Sequence, residues 1–172
     1  MIYIMRYKLA DCNHFSWLSD SGVYGAIKNP IFVLKMATFL FEDIIFGPVN
    51  SRRLGVSLGI NLVPVNRKIC TFNCIYCECG WTNNRHLPSE GFPSRELLAQ
   101  SLQSRLVELR TVGSLPDALT YAGNGEPTLH PEFAGIIDDT IRIRNEYSPE
   151  SKIVVLSNAT LAHRDGIKEA LY

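Results

Sequence analysis

The sequence has neither a long apolar run nor a net charge. Its most apolar stretch, residues 31–46, is interrupted by Lys35, Glu42 and Asp43, so it is too short and too charged to span a bilayer. No apolar run near Met1 leads to a small-residue cleavage site, as it would in a secretory signal. The 17 basic and 17 acidic side chains cancel, so the overall charge predicts no polyanionic partner. We expect a globular protein without a membrane partner.

The sequence also lacks the cysteine pattern of a disulfide scaffold. Small secreted domains usually spread an even number of cysteines along the chain, whereas this chain has five and places three of them within eight residues. Cys12 stands apart and is interpreted as a small core or surface residue. In a reducing compartment, clustered thiols indicate metal or redox chemistry. The pattern therefore predicts a cytoplasmic protein with a metal or redox site.

The part of the sequence after about Phe46 alternates strand-like and helix-like segments. Short β-branched runs bounded by turn residues predict strands, and apolar residues spaced three and four apart predict helices. The predicted strands are 56–64, 118–122 and 153–156, and the predicted helices are 94–110, the segment after Pro131 and 164–172. This order is typical of an α/β protein with a parallel sheet, either open or barrel-like.

The first 35 residues fit this alternation poorly. We therefore divide the sequence into an N-terminal extension, residues 1–35, and a core, residues 36–172. Met36 opens the segment that leads into the first motif, and our hypothesis is that it is the native start.

Three cysteines, Cys70, Cys74 and Cys77, have the spacing C-x3-C-x2-C directly after the first predicted strand. Thiolates hold iron–sulfur clusters, and three ligands on one loop leave one iron open to a small chelating molecule. A structural zinc site favours paired C-x2-C units and would need Cys79 or His86 as its fourth ligand. Three plain structural thiols are a further alternative. Because the pattern is complete without it, Cys79 is interpreted as a bystander.

A second polar segment, Gly123 to Pro127, follows the strand predicted at 118–122. Its two glycines allow a close approach of backbone to a ligand, and the carboxylate of Glu126 can accept hydrogen bonds from an ammonium group. The same residues are also typical of a turn with an exposed glutamate. Both interpretations are open at this point.

Polar residues also follow the third predicted strand. Ser157 and Asn158 are either ligand contacts at the rim of the sheet or a helix cap. His130 is interpreted as part of a helix entry, because no partner for a catalytic base is evident. The doubled arginine, Arg52 and Arg53, is typical of a solvated face, with an anion clamp as the functional alternative.

The motif C-x3-C-x-aromatic-C, with Tyr76 at the aromatic position, resembles the signature of the radical S-adenosylmethionine (radical SAM) superfamily. The resemblance implies a 4Fe–4S cluster with the thiolate ligands Cys70, Cys74 and Cys77. It also implies that the methionine amino and carboxylate groups of S-adenosylmethionine (SAM) chelate the fourth iron, with Tyr76 near the adenine. The implied reaction is reductive cleavage of SAM to a 5′-deoxyadenosyl radical, which abstracts hydrogen from a substrate.

The segment 123–127 resembles the GGEP motif of the same superfamily, which binds the methionine amino group of SAM. In that superfamily, polar residues at the end of the third strand often contact the methionine or ribose part. The implied SAM contacts are Asn124, Gly125, Glu126, Pro127, Ser157 and Asn158. Asn124 stands where the motif has its first glycine, a mild departure because asparagine tolerates unusual backbone angles.

The chain from residue 36 onward is similar to the uncharacterised radical SAM Fe–S oxidoreductases related to wybutosine-synthesis enzymes. This similarity rests on FGPVNSRRLGVSLGINLVP, the cysteine motif, GNGEPTLHP and LSNATL. The superfamily fold is a partial (β/α)6 barrel, so we expect the N-terminal half of that barrel, cut short at the C-terminus. As a piece of a longer enzyme, the chain alone would be inactive. The implied partners are a one-electron reductant of the flavodoxin or ferredoxin type and an unknown substrate, with RNA suggested by analogy.

A zinc-stabilised RNA-binding module is the alternative function. Its basic contacts would be Arg52, Arg53, Arg67, Lys68 and Arg85. Binding of this kind weakens steeply with salt, because it depends on the release of counterions from phosphates.

Overall fold

A sheet with helices between its strands forms the centre of the protein. The computed structural model describes residues 2–5, 38–82 and 91–172, and for 2–5 the backbone alone. The strands are β1 (Ile2–Met5), β2 (Ile45–Ser51), β3 (Gly55–Ile60), β4 (Ala118–Tyr121) and β5 (Lys152–Leu156). The helices are α1 (Arg95–Thr111), α2 (Phe133–Tyr147) and α3 (Asp165–Leu171), and Pro127–Leu129 forms a short 3-10 turn.

The sheet is mixed but mostly parallel, with the strand order β1-β5-β4-β3-β2. β3, β4 and β5 are parallel neighbours, and α1 and α2 provide the connections between them. This confirms the α/β class and the parallel pairing predicted from the sequence. The carboxyl ends of these three strands lie side by side at one end of the sheet, which we call its carboxyl edge. The motifs that follow the strands lie there too.

Two features of the sheet differ from the prediction. β2 was not predicted, and it pairs antiparallel with β3. The sequence pattern does not indicate this strand, because Gly47 and Pro48 interrupt it where the register shifts, between Phe46 and Val49. Proline is tolerated there because β2 is an outer strand with a bulge. In addition, the described strands form an open sheet with β1 and β2 as its outermost strands, so the predicted barrel is not seen in the described ranges.

One face of the sheet packs against the helices. The alternating residues that supply this face are Leu58, Ile60, Leu119, Tyr121, Ile153 and Val155. They contact the apolar stripe of α1, formed by Leu98, Leu102, Leu106 and Leu109. Each fully buried side chain of this size contributes about 1.5–3 kcal/mol. This core holds β3, β4 and β5 in register and so fixes the geometry of the carboxyl edge.

The helices begin close to where the sequence predicts them. The Ser94 hydroxyl caps α1 by accepting a hydrogen bond from the backbone N–H of Leu97 at 3.2 Å, which satisfies a free donor of the first turn. α2 begins at Phe133, two residues after Pro131. In the part of the chain that the structure describes, no helix is long and apolar enough to cross a membrane.

Several predictions fall outside the described residues. They concern Cys12, Met36, Arg85 and His86. Of the N-terminal extension, the described part is β1, which pairs in parallel with β5 through Ile2↔Ile153 to Met5↔Leu156.

Candidate functional site

The cysteine segment leaves the carboxyl end of β3. We call residues 68–80 the cysteine loop. Two successive turns shape it: the N–H of Cys77 donates to the carbonyl of Cys74 at 3.0 Å, and the N–H of Gly80 donates to the carbonyl of Cys77 at 3.2 Å. The thiols of Cys70, Cys74 and Cys77 are partly exposed and none is in a disulfide. With Cys79, which is also free and partly exposed, the loop therefore presents four sulfur donors at the carboxyl edge.

The start of the cysteine loop is bound to the Gly123–Pro127 segment through Ile69. The Ile69 N–H donates to the carbonyl of Asn124 at 3.1 Å, and the Glu126 N–H donates to the carbonyl of Ile69 at 2.9 Å. A Cβ on Gly125 would overlap the Ile69 carbonyl oxygen. Gly125 is thus required by the close approach of the loop backbone, in addition to any approach by a ligand.

Glu126 is buried, with 2% of its surface exposed. Its Oε1 accepts from the Thr128 hydroxyl at 2.6 Å, the Ser157 hydroxyl at 2.7 Å and the Thr128 N–H at 3.2 Å. Its Oε2 accepts from the N–H of Asn158 at 2.7 Å. The alternative of a turn with an exposed glutamate is therefore wrong.

Ser157 and Asn158 join the third motif to the other two. The Asn158 amide donates to Thr71 Oγ1 at 2.8 Å and contacts the Cys70 sulfur at 3.6 Å, while its backbone binds Glu126. The helix-cap alternative is wrong for both residues, because α3 begins at Asp165 and its N-cap is Arg164. All three predicted motifs therefore meet within hydrogen-bond distance.

The charges around this junction are unevenly balanced. Among the described residues, no lysine or arginine lies within ion-pair distance of the Glu126 carboxylate. Burial raises the pKa of the Cys70 thiol, the N–H of Phe72 and the Lys68 ammonium oppose that shift, and Glu126 adds to it. A cationic ligand at Glu126 would therefore relieve a buried negative charge that neutral donors now hold.

Asn124 has a role that the sequence did not reveal. It is fully buried, and its amide nitrogen donates to the carbonyls of Phe41, Pro64 and Val65 at 2.9, 3.2 and 3.3 Å. Its Oδ1 accepts from the Phe41 N–H at 2.8 Å. The side chain therefore connects two loops that are distant in sequence to the end of β4. Both the amide nitrogen and the amide oxygen are used in these bonds, so a SAM contact from Asn124 would have to form without breaking them.

The remaining predicted site residues lie around the same edge. Tyr76 is 63% exposed on the cysteine loop, beside the exposed side chain of Ile75, and Pro127 is buried at the start of the 3-10 turn.

The donor set fits the three-cysteine cluster that the sequence implies. Three thiols, no disulfide and a position at the ends of parallel strands suit an iron–sulfur site with one open iron. In the described ranges, no three histidine, cysteine or acidic side chains already converge as a metal site. Metal sites rarely preform without their metal, and a coordinating metal deprotonates thiols that burial keeps neutral.

Cys79 lies beside this set. Its thiol donates to the carbonyl of Gly123 at 3.5 Å. Burial and the neighbouring Cys77 raise the pKa of the Cys79 thiol to about 11. Burial raises the pKa of the Cys70 thiol as well, and a bound metal would lower both values, so the interpretation of Cys79 as a bystander stays a prediction from the motif.

Three of the basic residues named for the alternative function have described positions that can be compared, namely Arg52, Arg53 and Lys68. Arg52 and Arg53 lie in the turn before β3, at the opposite edge of the sheet from the cysteine loop. Lys68 is 7% exposed and donates from Nζ to the carbonyl of Gly80 at 2.7 Å. Of the described residues of this set, Arg52 and Arg53 therefore lie apart from Lys68.

His130 contributes to structure, as predicted. Its Nε2 lies 2.9 Å from the Pro93 carbonyl, and its Nδ1 accepts from the N–H of Glu132 at 3.1 Å. These contacts require the neutral Nε2–H tautomer and lock the loop before α1 to the entry of α2. Burial lowers the pKa of His130, which keeps the ring neutral.

Comparison with known proteins identifies homologues of this chain. A UPF0026 protein of Helicobacter pylori is 38% identical over 128 residues, which cover 74% of this chain and 39% of that protein. A UPF0026 protein of Methanocaldococcus jannaschii is 35% identical over 125 residues, 73% of this chain and 36% of that protein. The chain is homologous to UPF0026 proteins. That name specifies no reaction, ligand or partner.

Two further results concern how much of each matched protein this chain covers, and which searches found no match. The GTPase Obg of Brachyspira hyodysenteriae is 31% identical over 127 residues, but these cover 17% of that protein, and the present chain contains no G-x-x-x-x-G-K-[ST] phosphate loop. The chain spans about two fifths of the length of the curated UPF0026 relatives it matches. No family model matches the chain, and no solved structure matches it either.

Proposed function

We propose that this chain is the cluster- and cofactor-binding part of a radical SAM enzyme. The observation that carries the proposal is the junction of Cys70, Glu126 and Asn158, in which Asn158 links a buried carboxylate without a described cationic partner to the thiol of Cys70. In this proposal the strand–helix units form the N-terminal half of a partial (β/α)6 barrel in the cytoplasm.

The cysteine loop would hold a 4Fe–4S cluster through Cys70, Cys74 and Cys77. These are the thiols of the C-x3-C-x2-C motif, and Cys79 is left outside the set because the motif is complete without it. Together with SAM, the cluster would supply one-electron cleavage of a carbon–sulfur bond, producing methionine and a 5′-deoxyadenosyl radical that abstracts hydrogen. An external reductant of the flavodoxin or ferredoxin type would provide the electron.

Glu126 would bind the methionine ammonium of SAM. Its Oε1 is saturated by three donors, whereas Oε2 has one described donor and retains a lone-pair position. An ammonium at Oε2 would form a charge-assisted bond, about twice as strong as a neutral one. The neutral donors fix the carboxylate so that this oxygen does not have to be oriented during binding.

Two other residues would position the cofactor. Asn158 connects Glu126 to Cys70, so it would keep the ammonium site and the open iron at a fixed separation. Tyr76, exposed on the loop, would stack on the adenine. The substrate class is not determined by these residues, and RNA is proposed by analogy alone.

Product formation tests this function. Anaerobically reconstituted chain is incubated with SAM and dithionite, and 5′-deoxyadenosine is measured by chromatography. Because one cluster ligand is lost, Cys70→Ala should abolish the cluster absorbance and any 5′-deoxyadenosine that the wild-type chain forms. Undiminished cluster absorbance and product in Cys70→Ala would refute the proposal. Equilibrium binding of SAM to the reconstituted chain gives a second readout that does not need turnover.

A further inference from the structure

Lys68 is the most unusual charged residue near the cysteine loop. Lysine is almost never buried without a charged partner, yet Lys68 is 7% exposed and donates to a backbone carbonyl, that of Gly80, at 2.7 Å. Among the described residues, no carboxylate lies within ion-pair distance of its ammonium. A buried cation without an anion is costly unless the site acquires negative charge.

The position of this ammonium relative to the thiols is defined by the loop itself. Lys68 precedes Cys70 by two residues, and Gly80 follows Cys77 by three. The bond between Lys68 Nζ and the Gly80 carbonyl closes the loop, so that all three proposed ligands lie between its ends. The cation is therefore held at the base of the loop, shielded from water.

We infer that Lys68 is a positioning residue whose charge stabilises the reduced form of the cluster and so raises its midpoint potential. This inference rests on the proposed function. A cluster with three thiolate ligands is anionic, and one electron from the reductant adds a further negative charge. A buried cation interacts more strongly with that charge than a solvated one would, because water and salt screen it less.

Three substitutions separate charge from hydrogen bonding. Lys68→Arg keeps both the charge and a donor, Lys68→Gln keeps a donor without the charge, and Lys68→Met keeps neither. Arg53→Gln is the control, because it removes one positive charge from an exposed turn at the other end of β3. That strand has six residues, which places the control charge about 20 Å from the loop.

The readout is the midpoint potential of the cluster, measured without SAM by anaerobic redox titration followed by visible absorbance and electron paramagnetic resonance. Lys68→Gln and Lys68→Met should make reduction at least about tenfold less favourable, a shift of about 59 mV to more negative potential for one electron. Lys68→Arg and Arg53→Gln should stay close to wild type. Iron and sulfide content is measured for every protein.

The possible outcomes distinguish this inference from the proposed function. If wild-type chain takes up no iron and sulfide, both fail. If it takes up the cluster but Lys68→Gln keeps the wild-type potential, or Lys68→Arg shifts as far as Lys68→Gln, the inference alone fails. Loss of the cluster in Lys68→Gln with retention in Lys68→Arg supports a requirement for the charge. Loss in all three variants overturns it, since Lys68 would then act through packing.

Discussion

The backbone of Ile69 lies directly against Gly125, with hydrogen bonds to the residues on both sides of that glycine. The Ile69 N–H binds the carbonyl of Asn124, and the Ile69 carbonyl accepts from the N–H of Glu126. This pairing makes the cysteine loop and the carboxylate segment one unit. The thiol of Cys70 is consequently placed beside the only segment that carries a buried glutamate among the described residues.

Gly125→Ala should disrupt this unit. The added Cβ would overlap the Ile69 carbonyl oxygen, and overpacking of this kind costs about 1–3 kcal/mol or more. Gly166→Ala is the matched control, because nothing lies within 4 Å of its Cβ position in α3 and alanine favours a helix by about 0.5–1 kcal/mol. Urea denaturation measures both. A Gly125→Ala protein as stable as Gly166→Ala would show that the two backbones can separate without cost.

Glu126→Gln should weaken SAM binding at least about tenfold, because it removes the charge that would hold the ammonium. The amide nitrogen would also face a donor, either the Asn158 N–H or the hydroxyls at Oε1, which costs about 1–3 kcal/mol of folding stability. Isothermal titration of the reconstituted chain measures the first effect and urea denaturation measures the second. Glu150→Gln, exposed before β5, is the control. Unchanged SAM affinity would remove Glu126 from the binding site.

His130 should make the protein less stable in mild acid. Burial lowers its pKa in the folded chain, whereas the unfolded value is about 6.5. The unfolded state therefore takes up the proton first, so the stabilisation is complete above about pH 6.5 and is lost as pH falls through the folded pKa. Protonated Nδ1 could no longer accept from the Glu132 N–H.

The measurement for His130 is the urea midpoint at about pH 7.5, 6.5 and 5.5, a range that brackets the unfolded pKa. The wild-type midpoint should fall on acidification, and His130→Gln, which cannot titrate, should show a smaller fall. Parallel curves for the two proteins would mean that other groups cause the acid sensitivity.

Asn124→Ala should destabilise the loops around the site. The substitution leaves the charge of Glu126, which the proposed function uses, in place. It also leaves the Phe41 N–H and the Pro64 and Val65 carbonyls without their described side-chain partner. Of these, the Pro64 carbonyl belongs to a buried residue, where an unsatisfied group costs about 1–3 kcal/mol. Hydrogen exchange should show faster exchange at Phe41 in particular. If protection there is unchanged, the amide of Asn124 is not what fixes this segment.

The sequence was sufficient to predict that the three motifs meet. Parallel strands end at a common edge, so residues following β3, β4 and β5 must come together, and the spacing of apolar residues identified those strands and the helices between them. It was not sufficient to predict the partners of Asn124, because bonds to Phe41 and Pro64 depend on how loops distant in sequence pack. The burial of Lys68 was hidden for the same reason.

Other errors have local causes. β2 was missed because Gly47 and Pro48 interrupt its pattern at a bulge. The doubled arginine was interpreted as a solvated face, and both residues are exposed in the turn of the hairpin that β2 and β3 form, at the opposite end of these strands from the cysteine loop.

Metal analysis of the anaerobically purified and reconstituted chain decides whether the cysteine loop holds an iron–sulfur cluster. The wild-type protein and Cys79→Ala should each contain about four iron and four sulfide per chain, as expected for a 4Fe–4S cluster, and Cys77→Ala should lose both. One zinc per chain without iron, or loss of metal in Cys79→Ala as complete as in Cys77→Ala, would contradict a three-cysteine cluster and favour a four-thiol zinc site.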